Sequence, residues 1–407
     1  MNPLSAILRS RSPELIAAAV AFVVYCAFSG PMLLKQSDAP HFVYQSYSFV
    51  HGQLALFGKP PNLNDWVLWK GQWYSSFPPF PAVLMMPFVA LHGLAFNDVF
   101  FTVCIASLNV GLLVAVMRVL RERGDHSRTD LEMLALAAFY AFGTVYFYTS
   151  IRGEVWFTAH VVGVTLTLLY ILASLNGRAP VIAGLIFGLS AVTRANLVYA
   201  FPFFVIETLL PEGRLVSFRT LLDRVVKALP RFVLFGLPAA SVLGLAFWMN
   251  HARFGKWNEF GHGLLYNNRV NKDVEKYGLF NVHYLPRNLR SAFLLGPTVH
   301  WHPFRLGFSG HGMSMFITTP LLLLVPFAKQ RARSTPALAV TTLAIALPGF
   351  LYMNDGWFQF GYRFSNDYLP YLFLLLAVGM RPMTKVFLAL GVLGIAVNVW
   401  GALAFNR

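Results

Sequence analysis

The chain has 407 residues, of which 57% are hydrophobic and 12% charged. Soluble domains carry about 25% charged residues, so a disordered chain is excluded and a water-soluble globule is not expected. Thirty-two Lys and Arg against 17 Asp and Glu leave a formal charge of +15, which in so apolar a chain reads as cytoplasmic anchoring of membrane loops rather than a nucleic-acid surface.

About 20 apolar residues cross a bilayer, and clear candidates lie at 14–34, 99–117, 133–149, 155–175, 232–250, 312–328, 335–353, 366–380 and 384–405. Arg9 and Arg11 precede the first run as in a signal peptide, but the run is too long for one and reads as a retained span. Cys26 and Cys104 fall inside apolar runs, as buried thiols do. Segment 79–96 is apolar but broken by Pro79, Pro81 and Pro87, while 180–210 holds only Arg194 and Glu207 as charges. Loop charge decides both. The basic clusters at Arg9/Arg11, Arg118–Arg128, Arg178, Arg214–Arg231, Lys329–Arg333 and Arg381/Lys385 all become cytoplasmic if 79–96 lies on the outer interface and 180–210 crosses twice, turning near Arg194. The expectation is an all-α polytopic membrane protein of about 11 transmembrane helices, a single domain over 1–407. Its N-terminus is cytoplasmic and its C-terminus outside. Two long segments face outward: 35–98, with its interfacial helix 79–96, and 251–311, between spans seven and eight.

Chemistry-bearing residues gather at that outer level. Asp38, in Lys35-Gln-Ser-Asp-Ala-Pro-His41, follows the first span. A half-desolvated carboxylate there suits a general base; a helix cap or loop-solvating role fits equally. Glu154 stands on the short turn between the third and fourth spans, two residues after Arg152. It either pairs with that arginine or joins Asp38 to orient an acceptor; two acids permit a divalent metal without requiring one. Arg194 has apolar helix on both sides, an expensive placement that suits a lipid-linked phosphate or, more plainly, a snorkelling side chain. Arg363 precedes the tenth span and is either a second cation at this level or the partner of Asp367, four residues on. The outer loop after span seven adds Arg253-Phe-Gly255, His283, Arg287, Arg290, His300, His302 and His311, with no third ligand at a metal-site spacing from His300 and His302. Walker, dinucleotide-binding, HExxH and nucleophile-elbow motifs are absent from the sequence.

In order and common placement, these residues resemble a GT-C class glycosyltransferase, of the kind related to protein O-mannosyltransferases and the lipid A aminoarabinose transferase. The likeness rests on Asp38, Tyr74-Ser-Ser-Phe-Pro-Pro-Phe-Pro81, Glu154, Gly184–Arg194, Arg253-Phe-Gly255 and Gly361-Tyr-Arg363 through Pro370. It implies an inverting enzyme with a polyprenyl-phosphate-linked sugar donor and an active site facing the periplasm or exterior of a bacterial plasma membrane. Asp38 and Glu154 would be catalytic. Arg152, Arg194 and Arg363 would bind the donor phosphate, and His41, Tyr74, Arg253 and Asp367 would line the substrate. Protein mannosyltransferases carry an Asp-Glu pair in the first loop, whereas Ala39 follows Asp38 here. A glycan or lipid acceptor is therefore as plausible as a protein. No cofactor is required by this reading. The alternative is a transporter or flippase of lipid-linked sugars, which would place ionisable residues near mid-membrane.

Overall fold

The computed structural model describes residues 12–266, 268–302 and 304–405; the Arg9/Arg11 cluster lies outside them. Helices dominate. Among the described residues, five are long and apolar enough to cross a membrane: Ser12–Leu34, Asp98–Glu122, Val155–Gly177, Phe218–Phe254 and Lys385–Ala404. Five shorter apolar helices accompany them at Phe80–Ala95, Pro180–Ala191, Ala195–Leu209, Thr335–Leu351 and Leu369–Val378. The chain is thus an integral membrane protein of mixed helix length.

Local chemistry sets the helix ends. Asn97 caps Asp98–Glu122 by accepting from Phe100 N, and Thr129 with Glu132 forms a capping box ahead of Asp130–Phe142. Ser217 caps the 37-residue helix Phe218–Phe254, which ends at Gly255 in the left-handed region, φ 73°. Two expected spans are not continuous helices. Segment 133–149 breaks after Phe142 and resumes as Tyr146–Ser150. Segment 312–328 forms only the α-turn Met315–Thr318 and a 3₁₀ stretch, Pro320–Phe327. Pro320 and Pro326 supply no backbone N–H there, so a regular ladder cannot run through.

The helices pack closely where glycine permits. A side chain at Gly111 would meet Glu14 O at 2.7 Å, and one at Gly184 would meet Phe235 O at 1.9 Å. Small residues at such crossings let backbones approach, as membrane helix packing requires.

Two hairpins sit among the connecting segments. In the first, β1 (Trp66–Trp69) pairs antiparallel with β2 (Gln72–Ser75). Its turn, Lys70-Gly71, has positive φ at both positions, 49° and 79°, the backbone that a tight two-residue hairpin turn demands. In the second, β3 (Thr298–Trp301) pairs with β4 (Phe304–Gly307). Helix Phe80–His92 buries Ala82, Met85 and Val89 in a cluster with Phe42, Val43, Phe101, Val155 and Ala159. The first hairpin, helix His41–Val50 and helix Phe80–His92 therefore gather around the starts of Asp98–Glu122 and Val155–Ser174.

Candidate active site

The site is built around loop 35–40. Ser37 donates its backbone N–H to Asp98 Oδ1 at 2.8 Å and its hydroxyl to Asp98 Oδ2 at 2.6 Å. Val155 N donates to Ala39 O at 3.1 Å, and Asn62 Nδ2 donates to Asp38 O at 2.6 Å. Three separate elements thus fix the backbone on both sides of Asp38, while its side chain stays exposed.

Arg152 and Glu154 face it from the turn before Val155. Arg152 Nε donates to both carboxylate oxygens of Glu154, at 3.0 and 3.1 Å, and Nη2 adds a bond to Oε1. The pairing expected from sequence proximity is formed. The turn lies tight on the adjoining helix: a side chain at Gly153 would meet Val99 N at 2.6 Å. Burial alone would lower the Arg152 pKa, but the carboxylates of Glu154 and, beyond it, Asp38 hold it above its ordinary value. Asp38 and this ion pair therefore share one electrostatic neighbourhood. Among the described residues, no three His, Cys, Asp or Glu side chains come together as a ligand set.

Arg194 and Arg363 lie deeper. Arg194 makes a bidentate pair with Asp367, Nε to Oδ1 at 2.9 Å and Nη2 to Oδ2 at 2.7 Å. His160 Nδ1 sits 3.0 Å from the same Oδ1. The sequence-level alternative of an Arg363–Asp367 pair is corrected: Asp367 turns to an arginine 173 residues away. His160 is the sixth residue of helix Val155–Ser174, so this triad lies about a turn and a half inside that helix's start. Arg363 instead caps main-chain carbonyls, with Nη1 donating to Gly356 O at 2.9 Å and Trp357 O at 3.3 Å. Its buried Nε has no partner among the described residues. The Arg194 and Arg363 guanidinium groups lie 5.6 and 5.4 Å from the same ring, Phe364. Burial, then Arg194, pushes the Arg363 pKa down to about 10.

His41, Tyr74 and Arg253 build the wall rather than the open surface. His41 is buried, stacked on Trp66 at 3.9 Å, with Nε2 2.9 Å from Asn64 O. Burial pushes its pKa down to about 4. Arg253 Nη1 donates to Ser75 O at 3.0 Å and Nη2 to Asn250 Oδ1 at 2.7 Å. Tyr74 packs on Phe254 at 5.4 Å. Together Tyr74 and Arg253 seat the first hairpin on the end of the 37-residue helix.

Sequence reasoning missed three acids. Asp98 clamps Ser37. Asp65, with φ 58°, accepts from Trp156 Nε1 at 2.9 Å and adds its field at Arg363. Asp355 is buried, accepting from Ser291 Oγ at 2.8 Å and meeting His311 Nδ1 at 2.6 Å. Each follows an Asn, at 97, 64 and 354, a pairing that reads as an ordinary turn or cap, so no signal in the sequence separates them. Asp355 and His311 line a cavity of about 400 Å³ with Arg287, Arg290, Ser291 and Ser309. Gln359 joins this cavity to the deeper layer, donating to His311 O and Asp355 O while its Oε1 accepts from Arg363 N.

No family profile matches the sequence, and no curated protein matches it either. Solved structures do. ArnT from Cupriavidus metallidurans, crystallised with undecaprenyl phosphate, superposes with a TM-score of 0.52 at 12% identity, covering 94% of this chain and 62% of that one. An oligosaccharyltransferase from Archaeoglobus fulgidus in its apo form gives a TM-score of 0.49 at 12% identity, over 96% of this chain and 55% of the other. The chain spans less than two thirds of the length of either. The ArnT superposition gives the fold that the sequence motifs anticipated: this chain has a GT-C fold.

Proposed function

We propose that the protein is an inverting glycosyltransferase, using a polyprenyl-phosphate-linked sugar at the outer face of a bacterial plasma membrane. The acceptor is a glycan, lipid or protein of the envelope. One observation carries the reading: an exposed carboxylate, Asp38, on a loop fixed by three elements, beside the half-buried Arg152–Glu154 pair. The fold shared with ArnT, whose structure contains undecaprenyl phosphate, supports the donor class.

In this mechanism Asp38 takes the proton of the acceptor hydroxyl as its oxygen attacks the anomeric carbon. The bond from that carbon to the carrier phosphate breaks, and its electron pair leaves with the phosphate. Attack opposite the leaving group inverts the centre. The phosphate gains one negative charge, so fixed cations at its position lower the barrier. Arg152 is held rigid by Glu154 for this purpose. Arg194 is compensated by its bidentate pair with Asp367, whereas Arg363, held through Nη1 by main-chain carbonyls and with Nε unpartnered among the described residues, contributes its field from below.

The test is sugar transfer from a radiolabelled polyprenyl-phosphate sugar by purified protein. Asp38→Asn keeps shape and removes the base; we expect a loss of about 10²–10⁴-fold. Equal transfer by Asp38→Asn and wild type would remove Asp38 from the role.

A further inference from the structure

The second hairpin has a sidedness that the proposed activity does not use. In β3 and β4, Val299 lies opposite Leu306 and Trp301 opposite Phe304. Residues two apart on a strand share a face. One face of the ribbon is therefore Val299, Trp301, Phe304 and Leu306, and the other carries Thr298, His300 and Arg305. The apolar face is bare: Val299 is 43% exposed, Trp301 71%, Phe304 62% and Leu306 46%. A two-stranded ribbon is marginal in water, and four large apolar side chains on one uncovered face mark a surface with a partner.

The root of the ribbon fixes its level. Phe308, one residue past β4, stacks on Trp400 at 4.3 Å and lies 5.4 Å from Phe405. Trp400 belongs to Lys385–Ala404, one of the helices long and apolar enough to cross a membrane. Phe358, exposed, lies 5.5 Å from the same Phe405. The ribbon thus leaves the protein where that helix reaches its end, among aromatic side chains of the kind that concentrate at lipid headgroups. Residues 296–308 contain His300, His302 and Arg305 and no acid, a charge that complements lipid phosphates.

We propose that the ribbon of β3 and β4 is an interfacial anchor. Its Val299/Trp301/Phe304/Leu306 face lies in the boundary between headgroups and acyl chains, and Arg305 and His300 serve the phosphate layer. The consequence is positional. Leu295 and Ser309, just outside the ribbon's ends, line the cavity that holds Arg287, Arg290 and His311. Anchoring the ribbon would hold that cavity's rim at the membrane surface, within reach of a ligand delivered through the lipid. The inference concerns membrane contact and stands whether or not sugar transfer is confirmed.

The test uses full-length protein with Cys26→Ser and Cys104→Ser, a single nitroxide at Trp301→Cys or Leu306→Cys, and nanodiscs of phosphatidylcholine and phosphatidylglycerol. Both labels should be relaxed several-fold more by oxygen than by a water-soluble nickel chelate, with the order reversed for Thr298→Cys. Leu306→Cys keeps both aromatic residues and carries the test if the Trp301 variant does not fold. Water-like relaxation at 301 and 306 would overturn the proposal. So would spin–spin broadening that disappears on dilution with unlabelled protein, because a second copy would then cover the face.

Discussion

At the scale of residues, charge placement follows partnering more than sequence proximity. Arg152–Glu154 was legible because two residues separate them on a short turn. Arg194–Asp367 was not, because the two are 173 positions apart and nothing local tells which of two arginines an acid will choose. Asp38 stood out by following a span, whereas Asp65, Asp98 and Asp355 resembled turn and cap acids and showed their roles only once Trp156, Ser37 and His311 were placed beside them. His41 gives a residue-scale prediction. It is neutral and stacked on Trp66 in the fold, with its pKa pushed down to about 4, below the ordinary value of 6.5. The unfolded chain therefore binds the extra proton first as pH falls. His41 contributes stability that is present above pH 6.5 and lost as pH drops toward 4. Thermal unfolding of wild type should soften across that window. His41→Phe, which retains a stackable ring without a titrating nitrogen, should flatten the dependence; an unchanged pH slope would show that another group sets it.

At the scale of elements, the hydrophobic pattern located apolar segments and misjudged how many are regular helices. Periodicity reports apolar surface, and a proline-bearing stretch such as 312–328 is apolar, and buried as far as Leu322, without being a continuous helix. The break at Arg194 was readable, since a charge between two apolar runs forces an irregular backbone to serve it; Arg194 is extended there, φ −140° and ψ 115°. What could not be read was helix proximity, because glycine spacing does not name the partner. Gly184 faces Phe235 O at a distance no side chain tolerates, whereas Gly236 has nothing within 4 Å of its would-be Cβ. Gly184→Ala should therefore lower stability by about 1–3 kcal/mol through overpacking. Gly236→Ala should be neutral or stabilising, since alanine is the better helix former. Thermal unfolding in one detergent compares the pair directly, and equal behaviour would refute the crossing of these two helices.

At the scale of the whole molecule, the polar groups fall into two layers joined by helix Asp98–Glu122. Its 25 residues give a rise of about 37 Å, enough to separate the layers by a hydrocarbon core of about 30 Å. One layer is the candidate site, where Asp98 binds Ser37. The other begins at Arg123, which pairs with Asp125 and Glu207. Asp125 Oδ1 accepts from Ser334 N and Oγ at 2.9 and 3.0 Å, Asn176 N donates to Glu207 at 3.0 Å, and Arg128 donates to the carbonyls of Leu376, Ala377 and Arg381. Gly213 lies against Arg333, and Arg118 pairs with Glu14 near the start of the first helix. These bonds and the Gly213 contact gather the basic loops around Arg123, Arg178, Arg214, Arg333 and Arg381 on one face, five of the six clusters that loop charge groups together; the sixth, Arg9/Arg11, lies outside the described residues. In the proposed orientation, with this positive charge retained on the cytoplasmic side, Asp38 and Glu154 stand outside. Reporter fusions after Arg123 and after Arg333 should both be cytoplasmic, and Asp38→Cys, in a Cys26→Ser, Cys104→Ser background, should react with a membrane-impermeant maleimide in intact cells. Opposite locations for the two fusions would contradict the hydrogen bonds between those loops. Agreement on the outer side would keep the fold, invert its orientation, and move the proposed transfer to the cytoplasmic face.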